Sequence, residues 1–160
     1  MRGGFLPPAI LCAALGIALS FIPLRKAMIA VALMAFAALS IWELSPPPRW
    51  IEPIFVGCWL SVIGNALLVY RPERLPPSLF IIAAVNAGAW AGAVTAVSGR
   101  GGDLEIALPC VLLFIPGRAV VLLGWSIALK VLASWLTAVA ILATMVALTP
   151  TPGYKPDHME

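Results

Sequence analysis

Charged side chains are scarce in this 160-residue chain: ten Lys and Arg against seven Asp and Glu, 11% of the residues. Histidine is scarcer, with His158 alone in the polar tail, and the only aspartates are Asp103 and Asp157. Each shortage excludes a chemistry. An intramembrane metalloprotease needs a His-Glu-x-x-His pair, a Ser–His enzyme needs a histidine among its apolar segments, and an aspartyl protease needs two aspartates there. Metal-assisted head-group transfer needs clustered acids. None of these sets is present, so we expect no enzyme, no catalytic residue, no metal and no cofactor. Basic residues never run longer than the pair Arg25-Lys26, which argues against a nucleic-acid partner. Three cysteines, Cys12, Cys58 and Cys110, lie inside apolar runs without redox or metal spacing and read as small packing residues.

What is abundant is apolar: 62% hydrophobic residues and a mean hydropathy of +1.03. Soluble domains are about 45–50% apolar and about 25% charged, and a chain this short has too little interior to hide such an excess. Lipid is therefore the expected solvent. The fold class expected is an all-α, polytopic transmembrane bundle in one domain over residues 1–149, with a polar tail over 150–160.

A crossing helix needs about 20 apolar residues for about 30 Å of hydrocarbon. The runs 5–22, 27–44, 54–70, 79–97 and 131–149 give five full spans. The first follows Arg2 as a signal peptide would, but no Ala-x-Ala site closes it and Leu11 before Cys12 is too large for lipoprotein cleavage, so an uncleaved helix is expected. The segment 106–129 is broken by Pro116-Gly117-Arg118. We read it as a bent or re-entrant hairpin with Arg118 near its tip. The other layout is a kinked span followed by a long tilted one, which makes six crossings. Arg25, Lys26, Arg71 and Arg74 outnumber Arg2, Arg49 and Arg100 on the alternate loops. This small bias predicts a periplasmic or external N-terminus and a bacterial inner-membrane location.

Polar and small residues inside the spans supply the candidate sites. Gly57, Ser61, Gly64 and Asn65 share one face of the third span. Ala84, Gly88, Gly92 and Ala96 form a small-xxx-small ladder on the fourth, a pattern that lets helix backbones approach closely. Gly57, Gly64, Gly88 and Gly92 are thus the expected packing glycines. Asn65 and Asn86 come out at similar depth and are expected to bond to each other. Ser126, Lys130, Ser134, Thr137 and Thr144 line one stripe of the last span, which suits a water-filled path, a partner subunit, or hydroxyls bonded back to their own helix. Arg118 is costly in lipid, so it is read as an anion or lipid-phosphate ligand or as a cytoplasmic topology signal. Two functions follow. The first is a non-enzymatic accessory or assembly subunit of a larger membrane complex. The alternative is a small transporter or channel for a small solute or anion, with a path near Arg118 and the Lys130 stripe. The expected partners are the bilayer and, within it, another protein or further copies of the chain.

Overall fold

The computed structural model describes residues 5–44, 47–98 and 102–148; Arg2, Arg100 and the 150–160 tail lie outside the described residues. Seven α-helices follow one another: α1 (Leu6–Leu19), α2 (Leu24–Leu44), α3 (Ile51–Leu68), α4 (Pro77–Ser98), α5 (Gly102–Ala107), α6 (Phe114–Leu122) and α7 (Ser126–Leu148), with 3₁₀ turns at Pro48–Trp50, Pro72–Arg74 and Leu108–Leu113. Five helical stretches are long and apolar enough to cross a membrane: Leu24–Leu44, Ile51–Leu68, Pro77–Val97, Gly102–Leu122 and Ser126–Val146. The all-helical bundle expected from the composition is therefore present.

Proline marks the starts of α1 and α4. Pro7 and Pro8 lie in the first turn of α1 and Pro77 opens α4, where a missing N–H costs nothing because the first-turn donors have no intrahelical acceptor. Successive long helices alternate in direction, with α5 and α6 continuing one rod. The resulting register is visible in contacts: α4 runs antiparallel to α3 and parallel to α2, and the 102–122 segment runs parallel to α1.

Two segments depart from the sequence reading. The stretch 5–22 is helical over only the 14 residues of α1, about 21 Å at 1.5 Å per residue, so it falls short of a full span. Ten of its residues are buried, among them Leu11, Cys12, Leu15, Ala18 and Leu19. It is the centre of the bundle, enclosed by α3, α4, the 102–122 segment and α7. A helix that is apolar all round suits burial by protein as well as by lipid, and hydropathy alone does not separate the two.

The second correction concerns 106–129, which is not a hairpin with Arg118 at its tip. Residues 102–122 form one rod whose middle is 3₁₀. Pro109 lies in the first turn of the 3₁₀ segment and Pro116 in the first turn of α6, so each falls where the rod changes helix type and a missing N–H is tolerated. At 1.5 Å per α residue and about 2.0 Å per 3₁₀ residue the rod reaches about 34 Å, enough to cross. The reversal comes at Leu123–Trp125. There Gly124 has φ +80°, Trp125 N–H bonds to Val120 O at 3.0 Å and Gly124 N–H to Val121 O at 3.0 Å. This is a Schellman closure, which needs a left-handed residue that glycine adopts without strain. The kinked-span layout is the one adopted, and α7 starts at Ser126 rather than 131.

The ladder on α4 meets α2. A Cβ on Gly88 would run into the Met34 carbonyl, and one on Gly92 into the Ala38 carbonyl. Ala30, Met34 and Ala38 form the facing stripe of α2 and are fully buried. α4 is the most enclosed span, with 50% of its residues buried against 22% in α2 and in α7.

Candidate functional site

Arg118 lies on α6, four residues before its end. Its guanidinium donates to the carbonyl of Ile22 at 2.6 Å, just past the C-terminus of α1, where backbone carbonyls lack helical partners and carry the negative end of the helix dipole. The same junction holds Ser20, whose hydroxyl donates to Gly16 O at 3.1 Å with Phe114 O at 3.5 Å as a longer acceptor. Gly117 leaves room for that hydroxyl, which a Cβ would meet, and a Cβ on Gly16 would stand 2.6 Å from Val111 O. The Pro116-Gly117-Arg118 sequence is thus a docking surface for the end of α1. Ser20 went unnoticed in the sequence; its place just before Pro23, at a helix end, was the available signal.

A second polar cluster joins α3 to α4. Asn86 Nδ2 donates to Ser61 Oγ at 2.5 Å, and Trp90 Nε1 donates to Asn86 Oδ1 at 3.0 Å. The expected Asn65–Asn86 bond does not form, because the antiparallel register sets Asn86 against Ser61, one turn from Asn65. Asn65 is 1% exposed and its Nδ2 has no hydrogen-bond partner among the described residues. Trp90 is a residue the sequence reading passed over, although an indole N–H in mid-span needs an acceptor and Asn86 lies one turn away. Gly57 faces the Trp90 ring, which a Cβ would strike, whereas a Cβ on Gly64 would meet nothing within 4 Å. Of the two glycines expected to pack α3, only Gly57 does so. The space beside Gly64 belongs to a groove of about 440 Å³ between α3 and α4.

The α7 stripe is divided. Thr137 and Thr144 return their hydroxyls to Ala133 O at 2.9 Å and Ala140 O at 2.7 Å on their own helix. Lys130 lies on the second turn of α7, half-buried, and its backbone carbonyl accepts from Tyr70 Oη at 3.5 Å. Ser134 is exposed on the outer side. Asn65 and Asn86 therefore line one groove between α3 and α4, while Arg118 and Lys130 lie elsewhere, Arg118 on the end of α1 and Lys130 beside Tyr70. Among the described residues no group of three or more His, Cys, Asp or Glu could hold a metal.

The bundle also sorts charge. Arg118 touching Ile22 and Tyr70 touching Lys130 bring the 20–24, 69–76 and 123–125 reversals to one end. That end carries Arg25, Lys26, Arg71, Arg74, Arg118 and Lys130 with Glu73. Among the described residues the opposite end carries Glu43, Glu52, Asp103 and Glu105 with Arg49. Comparison with known proteins adds no relative: no family model, no curated protein and no solved structure matches the chain.

Proposed function

We propose that this protein is a non-enzymatic accessory or assembly subunit of a larger complex in a bacterial inner membrane, docking its partner on the outer face of α7. The observation that carries the reading is the pair Ser134 and Ala138. Both are exposed, one turn apart, in a helix whose buried residues, among those described, are Leu129, Ala133, Leu136 and Ala140. Val131, Trp135 and Leu142 flank the pair, with exposures of 64%, 61% and 67%. Lipid gains little by covering small residues, while a partner helix gains close backbone contact at a small-xxx-small site. The transport alternative has less beneath it, since Arg118 is engaged with Ile22 O and Thr137 and Thr144 are bonded within α7.

The basic end is assigned to the cytoplasm by the preference of Lys and Arg for that side. The N-terminus is then external. Purification in mild detergent tests the function. The reading predicts a stoichiometric second protein that is lost in Ser134→Leu and Ala138→Leu, with the bundle itself still folded. Recovery of the wild-type chain alone, as a monomer or as a ring of identical copies, would overturn it, the ring in favour of a small transporter or channel.

A further inference from the structure

The groove between α3 and α4 is built around an unmet need. Asn65 is 1% exposed, lines the groove, and its Nδ2 donor has no partner among the described residues. A buried amide donor in a low-dielectric setting is costly unless an acceptor reaches it. The vacant part of the groove is beside it, because a Cβ on Gly64 would meet nothing within 4 Å. The far end is shut by the Trp90 ring over Gly57, held there by Asn86.

Three features define what fits. The walls next to Asn65 are Leu68, Leu79 and Ile82, so the occupant is mostly apolar. Ile82 is 63% exposed at the lip, so the occupant enters sideways from the bilayer. The volume of about 440 Å³ falls in the range of about 300–1,000 Å³ typical of small-ligand sites. Above the open end lies the connector that joins α3 to α4, with Arg71 and Arg74 both exposed. Asn65 is five residues from Tyr70, about 7.5 Å along the helix, which places its amide below the head-group level.

We propose that the α3–α4 groove is a binding site for an anionic diacyl phospholipid, one acyl chain lying along Gly64 and Ile82, its ester carbonyl accepting a hydrogen bond from Asn65 Nδ2, and its phosphate meeting Arg71 and Arg74. This site goes beyond the subunit role and does not depend on it, since it uses α3 and α4 and leaves the α7 face free.

The test is a lipid titration of the purified full chain in detergent, read by thermal unfolding and by native mass spectrometry, with phosphatidylglycerol and phosphatidylcholine as probes. One bound phosphatidylglycerol per chain and a raised Tm are expected. Gly64→Leu and Ile82→Trp fill the same space from opposite walls and should both abolish the lipid-dependent rise. Asn65→Leu should weaken binding about tenfold, or about 1.4 kcal/mol at 25 °C, while its lipid-free Tm stays equal or rises because an unpartnered donor has been removed. Arg71→Gln with Arg74→Gln should erase the preference for phosphatidylglycerol and leave chain binding in place. An equal Tm rise in the wild type, Gly64→Leu and Ile82→Trp would mean nonspecific annular lipid and would overturn the proposal. So would loss of a co-purifying protein, rather than of lipid, in those two variants.

Discussion

Arg118 and Ile22, 96 positions apart, are joined by a 2.6 Å hydrogen bond from the guanidinium to the backbone carbonyl. The contact ties α1, a 14-residue helix too short to cross, to the 102–122 rod, whose middle is 3₁₀. A charged donor is suited to this place, since the carbonyl beyond a helix C-terminus carries excess negative potential and a charge-assisted bond is stronger than a neutral one.

Removing that donor should loosen the junction. Arg118→Gln is expected to lower stability by about 1.5–3 kcal/mol, the usual worth of a hydrogen bond to a charged group. Arg118→Lys should cost less, because one ammonium donor still reaches a single carbonyl. Reversible unfolding in mixed detergent measures both. Equal, near-zero losses for the two would show that the Ile22 contact does not hold α1 in place.

The glycine ladder makes a sharper demand. Gly88→Leu and Gly92→Leu place side chains against the Met34 and Ala38 carbonyls, so both should separate α2 from α4 and sharply reduce folded yield. Gly64→Ala is the contrast: with open space at that position, alanine should stabilise α3 by about 0.5–1 kcal/mol through its better helix propensity. Fluorescence-detected size exclusion and a melting curve distinguish these outcomes.

These positions also show what the amino-acid order reveals. The ladder was legible because small residues at four-residue spacing in an apolar span let another helix backbone come close, and Gly88 and Gly92 do meet backbone. Arg118 was legible as a residue needing a partner, yet its partner was not, because a backbone carbonyl leaves no mark in the sequence. The Pro116-Gly117 pair looked like a reversal. In the fold a proline early in a helix is tolerated, and Gly117 serves a contact with Ser20. Asn65 and Asn86 were correctly placed on facing helices. Their pairing failed because a one-turn difference in register cannot be read from distances to the helix ends.

Topology offers an independent check. In a background lacking Cys12, Cys58 and Cys110, cysteines placed at Ser78 and Gly124 should be shielded from an impermeant thiol reagent in intact cells and react after lysis. A cysteine at Pro47, on the acidic end, should react from outside. Labelling of Ser78 or Gly124 from outside would reverse the orientation.

We propose that the outer face of α7 meets another protein within the bilayer. Site-specific photo-crosslinking in intact membranes tests it most directly, with the photoreactive residue at Ser134 on α7 and, for comparison, at Ile29 on the outer side of α2, where the residue is 53% exposed. A discrete protein adduct is expected from Ser134 and only lipid adducts from Ile29. Lipid adducts alone from Ser134, at the same yield as from Ile29, would contradict it.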